Sequence, residues 1–239
     1  MGYFIFSIVK TSCYYYQTKF LERRILKTAF LPSAKLQEVL DRVILRSRKK
    51  IRFYESQEIE LACAAFGLVK GWGVISKMVV EKLSRDELEA VVWHELCHII
   101  KKDNFKKLLS FFSFQLLGFL PWNRFLFEQW EEMSEAACDQ FAITRTSDPV
   151  NLASAIASVA LFANSTNPLL VSGFSEKKSQ VIRRVEEVLE KGGNLNSFRT
   201  TLPFFQILTL AAGTSFFLLL EFHLIPVLLC FLDACKIRL

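Results

Sequence analysis

The sequence predicts a mostly helical α+β protein with a small β-hairpin or sheet and additional membrane-associated helices. Three observations carry this. Apolar residues recur at helical spacing over most of the chain. One window around "KGWG" (70–73) is rich in β-branched and aromatic residues. The run "LPFFQILTLAAGTSFFLLL" (202–220) continues for 19 residues without a charge.

Taken in order, "YFIFSIV" (3–9) is too short to span a bilayer and no small-residue cleavage site follows it. It reads either as the tail of a longer helix or as an interfacial anchor. Residues 16–50 form a helix divided near Pro32, with Phe20, Leu21, Ile25, Leu36, Val39, Leu40, Val43 and Ile44 on its apolar face. Residues 57–79 form two short strands about the "KGWG" turn, and "GWGVISK" (71–77) is the candidate edge strand. Ser84 then opens a helix through the capping box "SRDE", in which the hydroxyl accepts from the Glu87 amide and the Glu87 carboxylate reaches back. That helix runs to about Lys102. "LLSFFSFQLLGFLPW" (108–122) is apolar all round but only 15 residues long, so it is either a buried helix or one that dips into lipid. Helices follow at 125–145, 150–163 and 176–190, the last ending at Gly192-Gly193. The run at 202–220 is a transmembrane helix by length and content, and 222–232 either prolongs it or returns. The expected organisation is an N-terminal membrane-proximal region (1–55), a central domain (56–195) and a C-terminal membrane segment (202–232).

Composition agrees with a membrane setting. The 239 residues are 51% apolar with a formal charge of +6, a combination that suits anionic headgroups and argues against nucleic acid as a partner. Mean hydropathy is +0.26. The basic run "RSRKKIR" (46–52) reads either as a solvated helix end or as a headgroup-facing flank. Six cysteines form no CxxC pair and read as reduced thiols, which suits a reducing compartment. Lys101, Lys102, Lys106 and Lys107 precede the first apolar segment, and Lys177, Lys178, Arg183, Arg184, Lys191 and Arg199 precede the second. This bias places the central domain on the cytoplasmic side of an integral membrane protein.

The chemistry is concentrated in "HELCHIIKKD" (94–103). On a helix, His94 and His98 lie on one face a turn apart and can grip one ion, while Glu95 can reach water at that ion. A catalytic zinc site needs a third protein ligand. Lys101 and Asn104 stand where a metzincin needs Gly and His, which excludes that class. The remaining histidine, His223, sits beside the C-terminal apolar run and reads as interfacial or partner-bonded. An acid on a later helix is the remaining solution. Glu128, Glu131 and Glu132 fit a solvated face. Glu135 differs, because Ala136, Ala137 and Cys138 after it let a neighbouring helix approach, and Asp139 lies one turn on. Glu135 could ligate while Asp139 bonds the free nitrogen of a ligand histidine.

"VVEKLSRDELEAVVWHELCHIIKKDN" (79–104), with "SEAACDQFA" (134–142) downstream, resembles the membrane-bound zinc metallopeptidases of the BlaR/MecR type. These share a gluzincin fold with the HtpX and prenyl-protein (CAAX) endopeptidases. The likeness covers roughly 60–190 and extends weakly to "VIRRVEEVL" (181–189), which resembles the family's closing helix. It implies a minimal gluzincin domain with one Zn²⁺ per chain, His94, His98 and Glu135 as ligands, Glu95 as general base and Asp139 as a supporting carboxylate. Arg184, in the closing helix, would contact substrate or the transition state; its alternative is a solvated arginine. The partners implied are a protein or peptide substrate and the lipid bilayer. "SEKK" (175–178) lacks SDN or KTG companions and no penicillin-binding domain follows, so β-lactam sensing is not expected. The competing class is a non-enzymatic membrane adaptor that keeps the fold. Glu95 discriminates, since an adaptor has no need of a base beside the metal.

Overall fold

The computed structural model describes residues 2–57, 62–117, 123–166 and 174–191. The predicted span at 202–220, the run at 222–232 and His223 lie outside the described residues. The first helix, α1 (Gly2–Thr28), takes in "YFIFSIV", which is therefore the opening of a longer helix. A two-residue strand, β1 (Ala29–Phe30), follows it, and Pro32 separates it from α2 (Ala34–Ser47). Proline lacks the N–H that a continuing helix would use. The start of α2 is held from elsewhere. Glu55, 1% exposed, accepts the Ser33 N–H at 2.6 Å, which satisfies a donor that the helix leaves open.

Glu55 lies in β2 (Phe53–Ser56), a strand that the periodicity does not announce. The predicted hairpin is present as β3 (Cys63–Phe66) and β4 (Trp72–Ser76), paired antiparallel with Ala65 opposite Gly73. The strand order is β1-β2-β4-β3, with β2 parallel to β4. "GWGVISK" is therefore an interior strand, and the edge beside the hairpin is β3. Local alternation cannot reveal a parallel partner, because the connection between parallel strands is long. Burial of all five β4 residues is the mark of an interior position. The second strand also ends at Ser76, three residues early, and Lys77–Lys82 forms a short helix, α3. Gly73 is required where β2 and β4 meet: a Cβ there would lie 2.2 Å from the Phe53 ring.

The sheet has two dry faces. Ile25 of α1 packs with Phe66, Trp72 and Val74 on one. Phe53 and Ile75 face the main core with α2 and the next helix, α4 (Arg85–Lys101). Every residue of α4 from Leu88 to Cys97 is buried, so this helix is enclosed rather than amphipathic. Its capping box forms as expected: Ser84 Oγ accepts from the Glu87 N–H at 3.2 Å, and the Glu87 carboxylate accepts from the Ser84 N–H at 2.7 Å. Buried Glu89 is answered by Arg46 at 2.6 Å. At the far end Lys102 adopts φ 54° and turns the chain into α5 (Asp103–Leu116).

The remaining helices are α6 (Asn123–Thr146), α7 (Pro149–Thr166) and α8 (Phe174–Lys191), each extending the predicted stretch by a few residues. Of the apolar segment at 108–122, the part within α5 packs on α1, with Tyr14 stacked on Phe111 at 4.5 Å and Phe4 edge-on to Phe112 at 6.4 Å. Among the described residues no helix is long and apolar enough to cross a membrane. Because the capping box anchors the helix that carries the motif, Ser84→Ala is expected to cost about 1 kcal/mol of stability. Chemical denaturation would show this as a lower midpoint with an unchanged slope.

Candidate metal centre

The turn spacing of α4 brings the His94 and His98 rings to 4.8 Å between centroids, with their Nε2 atoms 3.1 Å apart. Glu135 reaches them from α6, which packs on α4 with Cys138 Sγ 3.4 Å from His98 Nδ1. Its Oε2 lies 3.5 Å from His94 Nε2 and its Oε1 lies 3.5 Å from His98 Nε2. The three predicted ligands therefore converge, with donor atoms all within 4.8 Å of one another.

The opposite edge of each imidazole is occupied. His94 Nδ1 lies 2.9 Å from Asp139 Oδ1, as expected for a carboxylate that orients a ligand. His98 Nδ1 lies 2.9 Å from Asp103 Oδ2, and Ser134 Oγ also donates to that oxygen at 3.1 Å. Asp103 was legible only as a letter of the motif. Its role depends on the left-handed turn at Lys102, which brings it back beneath His98. A second cluster, His98, Asp103 and Cys138, is equally compact, but its His98 Nδ1 is the one already bonded to Asp103. Arg184 stands over the group. Its Nε and Nη2 donate to Asp139 at 2.6 and 2.8 Å, and its Nη1 lies 3.1 Å from Glu135.

This arrangement suits a cation. With Nδ1–H of each ring donating to an aspartate, the two Nε2 lone pairs face each other and a carboxylate. A tetrahedral ion with bonds of about 2.0–2.1 Å spaces its donors about 3.3–3.4 Å apart, close to the separations seen. Without a metal a proton serves in part. Burial opposes charge on His94, but hydrogen bonds to Asp139 and Glu135 outweigh it, and its pKa is pushed up to about 10. The acids respond in kind against the cost of their burial. His94 and Arg184 hold Glu135 well below the carboxylate range, Arg184 and His94 lower Asp139, and the His98 bond draws Asp103 down to about 2.

Glu95, 6% exposed, lies on the cleft beside this group. The Cys63 thiol of β3 lines the same cleft, and burial together with the Glu95 charge pushes that thiol's pKa up. No spacing in the sequence links residues 63 and 95; the strand edge does. The cleft holds about 460 Å³. Its walls are the β3 edge, an apolar side from α7 and α8 (Leu152, Ile156, Val159, Val181) and a polar side from α5 and α6.

Two measurements follow from this geometry. Asp103→Asn leaves the three donors in place but removes the acceptor that orients His98, so zinc affinity is expected to fall about 10–100-fold in a competition titration. Zinc must also displace the His94 proton. Calorimetry in buffers of different ionisation enthalpy at pH 8 should register release of about one proton per zinc. In the metal-free chain the raised His94 pKa gives stability that is complete below pH 6.5 and lost as pH rises through about 10.

A search of curated proteins returns no match. The family model described as BlaR1 peptidase M56 matches residues 3–188, which take in the sheet, α4, the three converging side chains and Arg184. The chain thus belongs to the BlaR1 peptidase M56 family, and so to the metallopeptidases.

Proposed function

We propose that this protein is a membrane-bound, zinc-dependent endopeptidase acting in regulatory or quality-control proteolysis. The observation that carries the reading is the convergence of His94 Nε2, His98 Nε2 and the Glu135 carboxylate at 3.1–3.5 Å beside a cleft that Glu95 also lines. His94, His98 and Glu135 would hold one Zn²⁺, oriented by Asp139, Asp103 and Arg184. A bound zinc ion acidifies water and polarises the scissile carbonyl.

The chain's own groups supply the rest. The Glu95 carboxylate accepts the proton of the attacking water and delivers it to the leaving amine. The outer edge of β3 pairs with the backbone of an extended substrate. Arg184 fixes both carboxylates beside the metal and carries positive charge to the rim, where a developing oxyanion would be stabilised. The uncharged run at 202–220 would anchor the chain in a bilayer, and the lysines and arginines before it support a cytoplasmic side for the zinc domain.

Glu95→Gln tests the chemistry apart from the metal. The amide preserves shape and cannot take the proton, so zinc content should remain about one per chain while cleavage of casein in detergent falls by about 10²–10⁴-fold. Glu135→Ala should lose zinc and activity together. Wild-type cleavage by Glu95→Gln, or full zinc retention by Glu135→Ala, would overturn the assignment.

A further inference from the structure

We propose that Asn104 ends the backbone ladder that β3 offers to a substrate, so that the protein selects short or turning segments over long extended ones. This rests on the peptidase reading above. The direction of each backbone group along β3 follows from its pairing. Ser76 N–H donates to the Ala62 carbonyl at 2.8 Å, so Ala62 faces β4. Alternation then turns Ala64 and Phe66 toward β4, and Cys63 and Ala65 outward. The outer edge thus presents the N–H and C=O of Cys63 and of Ala65, four groups in all by that alternation.

One of the four is already taken. Asn104, in the first turn of α5, donates through Nδ2 to the Ala65 carbonyl at 2.9 Å and to the Gly67 carbonyl at 3.4 Å. Gly67 has φ +89°, so the strand also turns away there. Lys107, one helical turn beyond Asn104, lines the same cleft and crosses to Glu131 of α6 at 2.6 Å. The asparagine amide and this ion pair close one end of the groove. A peptide added to β3 can use both groups of Cys63 and the N–H of Ala65, and to go further it must displace Asn104. The opposite end, toward Cys63, carries no such stop among the described side chains.

The experiment begins with peptides that the zinc-loaded full chain cuts from casein, lengthened one residue at a time at each end. In the wild type, kcat/KM should cease to rise at one end after the residue facing Ala65. Asn104→Ala frees the Ala65 carbonyl and, two residues on, the Gly67 carbonyl that the same amide holds. The plateau should therefore move by about two residues at that end alone, with a gain of about two- to tenfold, the range of one hydrogen bond. Asn104→Asp keeps the volume, lacks the donor and should shift the plateau in the same way, which separates the effect from a packing defect. Unchanged plateaus in both variants, or a wild type with no plateau at either end, would overturn the role of Asn104 while leaving the peptidase reading intact. Failure of the zinc-loaded wild type to cut casein at all would overturn that reading and this proposal with it.

Discussion

The structure turns on two imidazole nitrogens held 3.1 Å apart with a carboxylate facing both. Left to themselves, lone pairs at that distance repel. They stay because each ring is pinned from behind, His94 by Asp139 and His98 by Asp103, and because the rings ride on a helix enclosed on every side. The enclosure accounts for much of the remaining architecture. The sheet and α2 cover one side of α4, and α6 and α7 cover others, α6 bringing the Glu135 carboxylate to the histidines.

Charge is managed locally. Three carboxylates and two imidazoles meet in a largely buried volume, where an unmatched charge would be very costly. Arg184 answers Asp139 through two nitrogens and Glu135 through a third, in the forked geometry that guanidinium makes available and ammonium does not. A lysine at this position could not span both acids. The arginine read from sequence as a substrate or transition-state contact is, in the structure, paired with Asp139 and Glu135.

Much of the site was legible because it is written at helical spacing. His94, Glu95 and His98 follow from one turn of α4, and Glu135 and Asp139 from one turn of α6 beside small residues. The capping box at Ser84 is equally local. What escaped is what depends on tertiary return. Asp103 supports His98 only because Lys102 takes a left-handed turn. Cys63 meets Glu95 across a strand edge. The parallel partner β2, with a glutamate and a serine among its four residues, shows no apolar alternation, and missing it moved the sheet edge from β3 to β4. The hairpin itself was visible because its turn and both its strands are contiguous.

Arg184 lies 90 residues beyond His94 in the chain and 45 beyond Asp139, yet touches both. Contacts of that separation are the slowest to form, since loop closure must precede any gain from them. Residues as far as α6 can bring His94, His98 and Glu135 together, but Glu135 and Asp139 gain the Arg184 guanidinium only when α8 packs. A chain whose α8 has come away keeps the histidine pair on α4 and Glu135 on α6 but loses the guanidinium that answers two of its acids.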